Sequence, residues 1–116
     1  MAKARTRLIL VVIALAVWML PAVAQAAPTC GGLAGTNIGG AEDDDLTGGP
    51  GPDVIIGLRG HDTIDGGGGD DTICGNDGDD TINGGDGNDW IRGGNNTTAA
   101  SDADTIDGGA GNDIIW

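Results

Sequence analysis

The sequence predicts an all-β repeat fold, and three observations predict it. From Gly39 to Trp116 one nine-residue phrase recurs eight times, with glycine first, aspartate sixth and an aliphatic residue eighth in every copy. Glycines gather in the first half of each copy, where a chain that must turn back on itself needs them. Positions seven to nine are mostly β-branched, which suits a strand only three residues long, with position eight facing one way and seven and nine the other.

In chain order, the first segment reads as an export leader. Lys3, Arg5 and Arg7 precede an apolar run from Leu8 to Leu20, Pro21 ends that run, and Ala24-Gln25-Ala26 forms a small-x-small cleavage site. The thirteen apolar residues fall short of a membrane span. Residues 1–26 are therefore expected to be a signal peptide cleaved after Ala26, leaving a bacterial, secreted, extracellular protein with no membrane span. Residues 27–38 form an N-terminal cap or linker, and 39–116 the repeat domain.

Cleavage sharpens the charge imbalance. The mature chain keeps Arg59 and Arg92 against all 18 acidic residues, 2 minus 18, or a net −16, and it retains all 24 glycines. Such a composition cannot bury enough apolar surface to offset its conformational entropy unaided. It also excludes nucleic acid and anionic membranes as electrostatic partners.

The copies are GGAEDDDLT (39–47), GGPGPDVII (48–56), GLRGHDTID (57–65), GGGGDDTIC (66–74), GNDGDDTIN (75–83), GGDGNDWIR (84–92), a stretched GGNNTTAASDADTID (93–107) and GGAGNDIIW (108–116). Glycines at positions one, two and four let the backbone take positive φ, so that turn carbonyls can point at an ion, and the sixth-position aspartate adds a hard carboxylate oxygen. An all-oxygen donor set of this kind favours calcium over zinc or copper, which prefer nitrogen and sulfur. An EF-hand is excluded, because its twelfth-position glutamate is missing and Glu42 is the only glutamate in the chain. No serine lies in the repeats except Ser101, and nothing assembles a catalytic triad, so the chain is not expected to be an enzyme. The lone His61, in a turn, is expected to be solvated.

The phrase G-G-x-G-x-D-x-U-x resembles the calcium-binding nonapeptide of the RTX, or hemolysin-type, proteins. That resemblance implies a parallel β-roll, a β-solenoid in which two nonapeptides make one coil and calcium sits between stacked turns. Carried over, one edge would hold Asp44, Asp62, Asp80 and Asp104, and the other Asp53, Asp71, Asp89 and Asp113, with about six ions at most. The best sites are expected at Asp62, Asp71, Asp80 and Asp89. Asp44 and Asp104 stand beside departures from the pattern: Glu42 at a glycine position, and an insertion at about 95–101. Leu58 and Asn76 replace glycine at position two, and Pro50 and Pro52 flank Gly51. RTX exoproteins usually carry a large effector domain, and none is expected in these 116 residues. The resemblance therefore implies a secreted structural or interaction module that folds on calcium. The alternative is a non-catalytic remnant or subunit of an RTX protease or lipase.

With two repeats per coil, the outward residues of one sheet are polar. Those of the other include Val54, Ile56, Cys74, Trp90, Ile114 and Trp116. Either residues 27–38 cover this apolar face, tethered by a Cys30–Cys74 bridge, or it docks a protein or cell-surface partner. The cysteines alone leave paired and free thiols equally open.

Overall fold

The computed structural model describes residues 26–94 and 102–116; the expected signal peptide, Ala26 excepted, and the insertion at 95–101 lie outside the described residues. Among those described there are strands and no helix, hence no helix long and apolar enough to cross a membrane. The strands are β1 (Thr29–Cys30), β2 (Leu33–Ala34), β3 (Asn37–Ile38), β4 (Asp45–Thr47), β5 (Val54–Arg59), β6 (Thr63–Asp65), β7 (Thr72–Asp77), β8 (Thr81–Asn83), β9 (Trp90–Gly94), β10 (Thr105–Asp107) and β11 (Ile114–Ile115).

They build a parallel β-solenoid of about three turns. From β3 onward, the even-numbered strands form one parallel sheet, ordered β10-β8-β6-β4, and the odd-numbered strands the facing one, ordered β11-β9-β7-β5-β3. Ile55 pairs with Ile73 and Ile64 with Ile82, so each coil advances 18 residues, two nonapeptides. Between β8 and β10 the step is 24, Ile82 to Ile106, and the six extra residues leave the register of both strands intact.

Between the sheets lies one column of aliphatic side chains: Leu46, Ile64 and Ile82 from one, Ile55, Ile73 and Ile91 from the other, all buried. Ile106 packs against it half-buried, and Ile115 is 49 % exposed, because β10 and β11 have a neighbouring coil on one side only. Position eight is thus buried in the first six copies and not in the last two. Strand length also departs from three residues in the odd-numbered sheet. There β5 and β7 run for six residues, because Leu58 and Asn76, standing where glycine is usual, continue the ladder opposite one another.

The segment ahead of the repeats is part of the fold. β1 and β2 make an antiparallel hairpin over the outer face of the odd-numbered sheet, with Gly31 beside the ring of Trp90. Cys30 and Cys74 form a disulfide, Cα to Cα 5.8 Å. Together with Ile56 they make a second small buried cluster, flanked by Val54, Leu58 and Trp90. The bridge encloses a separation of 44 residues, a loop whose closure restricts the unfolded chain by about 4 kcal/mol in the chain-entropy picture. The apolar face is therefore only partly free: Ile56 and Cys74 are buried, Val54 and Trp90 half-buried, and Ile114 and Trp116 exposed.

Core truncations should follow this geometry. Ile73→Ala, at the centre of the column, is expected to cost about 2 to 5 kcal/mol of unfolding free energy in urea titration at saturating calcium. Ile115→Ala, at the open end, should cost under about 1.5 kcal/mol.

Candidate metal centre

Each sixth-position aspartate stands at the end of a turn, just before its strand, and the 18-residue coil stacks it on the aspartate of the next coil. Asp44, Asp62, Asp80 and Asp104 share one edge of the roll, and Asp53, Asp71, Asp89 and Asp113 the other. Along both edges, Oδ1 of one aspartate accepts the backbone N–H of the aspartate one coil earlier. On the first edge Asp44 donates to Asp62 at 2.9 Å, Asp62 to Asp80 at 2.9 Å and Asp80 to Asp104 at 3.0 Å. The other edge repeats this, Asp53 donating to Asp71 at 2.8 Å, Asp71 to Asp89 at 2.9 Å and Asp89 to Asp113 at 3.0 Å.

The second oxygen decides the chemistry. Asp62, Asp71, Asp80 and Asp89 are each 1 % exposed, and Oδ2 of all four is buried without a hydrogen-bond partner. A buried, partnerless carboxylate oxygen is costly and marks a place where a ligand belongs. At the N-terminal end, by contrast, protein donors occupy Oδ2: Gly40 N–H on Asp44 at 2.5 Å and Gly49 N–H on Asp53 at 2.6 Å. Asp53 Oδ1 is taken too, by the Thr36 hydroxyl at 3.3 Å.

Position-one glycine makes room for that oxygen. A Cβ on Gly57, Gly66, Gly75 or Gly84 would collide with Oδ2 of Asp62, Asp71, Asp80 or Asp89 respectively, and with the carbonyl oxygen of the position-one glycine one coil on. The expectation that this glycine serves positive φ is corrected, since only positions two and four take left-handed φ, as at Gly85 (97°) and Gly87 (141°). Leu58 and Asn76 adopt the same conformation at position two, with φ of 86° and 81°. Leucine tolerates it here because its side chain packs against the Cys30–Ile56–Cys74 cluster.

Position five carries a ladder that sequence reasoning missed. Asp43 Oδ1 accepts the His61 N–H at 2.8 Å, His61 Nδ1 accepts the Asp79 N–H at 3.0 Å, and Asp79 Oδ1 accepts the Ala103 N–H at 3.0 Å. Asp70 and Asn88 do the same on the opposite edge. His61 is exposed yet structural, because Nδ1 stands where the other copies present an Asp or Asn oxygen. Its signal in the sequence was the recurrence of acceptor side chains at position five.

Burial raises the carboxyl pKa of all four inner aspartates. Asp71 and Asp80 are pushed up to about 6, against partial relief from the backbone N–H bonds, and neighbouring aspartates add repulsion. Asp62 and Asp89 are raised by the same cause. Among the described residues no three His, Cys, Asp or Glu side chains converge, so an ion beside Oδ2 would take most of its oxygen ligands from turn carbonyls.

The sequence profile of the RTX calcium-binding nonapeptide repeat matches residues 38–73, 75–97 and 98–116, in four copies. The chain belongs to that family. Neither curated proteins nor solved structures gave a match. The donor set of this RTX chain fits the family's ion, since hard oxygens stand in a cradle that a Cβ would fill.

The raised carboxyls make two pH effects. Without metal, the folded state binds protons more tightly than the unfolded chain, so this contribution to stability is complete below pH 3.8 and is lost as pH rises through about 6. Far-UV circular dichroism in EDTA should therefore show more strand at pH 4 than at pH 7.5. Protons and calcium compete for the same oxygens, so the calcium midpoint should be higher at pH 5 than at pH 7.5. Equal midpoints would contradict the assignment of these oxygens.

Proposed function

We propose that this RTX chain is a secreted calcium-binding module, ordered by calcium after export and used outside the cell as a structural or interaction element. The observation that carries the reading is the set of four buried carboxylate oxygens without partners, on Asp62, Asp71, Asp80 and Asp89. Bound calcium supplies the positive charge and oxygen coordination that these groups lack. The chain supplies the rest: the Oδ1 bonds orient each carboxylate, the position-one glycines keep its second oxygen open, and the 18-residue coil brings successive turns together.

Asp104 and Asp113 continue the same columns into the last coil, and Asp44 and Asp53 begin them, which keeps about six ions as the ceiling for the eight repeats. Neutralising the stacked carboxylates removes their mutual repulsion, and a calcium-free chain of this composition is expected to be disordered. Export through the leader at residues 1–26 would carry the chain from low calcium into the roughly 10⁻⁴ to 10⁻³ M range in which extracellular modules load. Any partner would meet the exposed part of the apolar face, Ile114 and Trp116, since Val54, Ile56, Cys74 and Trp90 lie at or under the hairpin.

Calcium titration of residues 27–116, followed by far-UV circular dichroism at pH 7.5, tests the reading. Strand signal should be small in EDTA and should grow cooperatively with calcium; full signal in EDTA, or none at 10 mM calcium, would overturn it. Asp71→Asn and Asp80→Asn are each expected to raise the midpoint several-fold. Asp53→Asn should move it less than two-fold, because protein donors already hold both oxygens of Asp53.

A further inference from the structure

We propose that residues 30–38 are a metal-independent starter coil, and that its disulfide sets the calcium concentration at which the roll forms. This rests on the calcium reading above and adds a control to it.

The segment occupies the place of a repeat without its sequence. Asn37 pairs with Ile55 and Ile38 with Ile56, one full 18-residue coil earlier, so residues 36–38 stand in register with residues 54–56, and counting back from them aligns residues 30–35 with 48–53 although 30–34 turn aside into the hairpin. Position one of this pseudo-repeat is Cys30 and position six is Gly35, so it offers no carboxylate. Position eight, elsewhere an aliphatic core residue, is Asn37, whose Nδ2 donates to Thr47 O at 3.0 Å and closes the end of the core column with a polar group. Terminal repeats of solenoids need such a polar end.

Thr36 replaces the N–H that the ladder lacks at this step, and the Gly49 N–H holds the oxygen that in the interior has no partner. In the interior, Oδ1 of each aspartate receives the position-six N–H of the preceding coil. Here that N–H belongs to Gly35 and is turned to Pro28 O at 3.3 Å. The Thr36 hydroxyl stands in for it, within reach of Asp53 Oδ1 at 3.3 Å and Val54 O at 3.1 Å, while it accepts the Val54 N–H at 3.0 Å. Asp53 is thus satisfied by protein groups alone, and the first step of the odd-numbered sheet forms without an ion.

The disulfide joins this starter to β7, two coils further on. It holds the hairpin on Ile56 and, through Gly31, against Thr72 and Trp90, so the cap cannot leave while the bridge is intact. Closing a loop of 44 residues changes the folding equilibrium by roughly a thousand-fold. If four carboxylate sites fill as the roll forms, that factor is shared among four ions, and losing the bridge moves the calcium midpoint by about five-fold. An oxidised chain would then order at calcium concentrations that leave the reduced chain unfolded, which couples calcium response to an oxidising compartment.

The test is calcium titration of the full chain by circular dichroism at pH 7.5, oxidised and after reduction and alkylation, with Thr36→Val studied with its disulfide intact. The expected result is a midpoint about five-fold higher on reduction, and a smaller rise, two-fold or more, for Thr36→Val. Equal midpoints for the oxidised and reduced chains overturn the inference while leaving calcium-driven folding standing. A reduced chain that stays unfolded at every calcium concentration supports the staple, and an unchanged Thr36→Val midpoint then removes the starter role. No transition in any form overturns both the inference and the reading beneath it.

Discussion

The roll depends on the stacked carboxylate of position six, whose two oxygens have opposite fates. Oδ1 takes a backbone N–H from the preceding coil and so fastens turn to turn. Oδ2, in the inner four aspartates, is buried over a glycine with no protein donor. A group that joins coil to coil and is electrostatically unfinished is what the proposed calcium-conditional folding rests on. At neutral pH the metal-free stack holds its carboxylates in a site that excludes water and sets like charges close together, which pushes the carboxyls of Asp71 and Asp80 up to about 6 and opposes folding. The core, one column of aliphatic side chains thick, is too slim to absorb many such terms.

The two ends of the stack are handled differently. At the N-terminal end protein donors take Oδ2 of both Asp44 and Asp53, and a polar Asn37 closes the core. At the other end Ile115 and Trp116 stand exposed beside aspartates that have a coil on one side only. Stability should therefore grade along the axis, from a stapled cap to an open coil, as in other quasi-one-dimensional folds where each coil contacts only its neighbours.

Much of this was legible in the sequence because the repeat is short and its parts are local. Turn, strand and carboxylate each depend on residues within nine positions. The departures were legible too: the insertion sits where the register widens from 18 to 24. Other features could not be read that way. Position-one glycine was credited with backbone freedom, whereas its missing Cβ matters because an aspartate oxygen five residues on fills the space. His61 looked like a solvated turn residue, and only stacking shows its Nδ1 accepting an N–H from the next coil.

By itself the sequence determined the repeat, its family and the place of a short strand at the end of each copy, since these follow from residue identity at a fixed local period. Tertiary structure alone decided whether two cysteines 44 residues apart meet, and whether residues 27–38 cover the apolar face or leave it open. It also decided which oxygen of Asp62, Asp71, Asp80 and Asp89, the four aspartates the sequence favours, is left without a partner. The reason is the same in each case: the partners come from other coils, and which groups meet there is set by stacking.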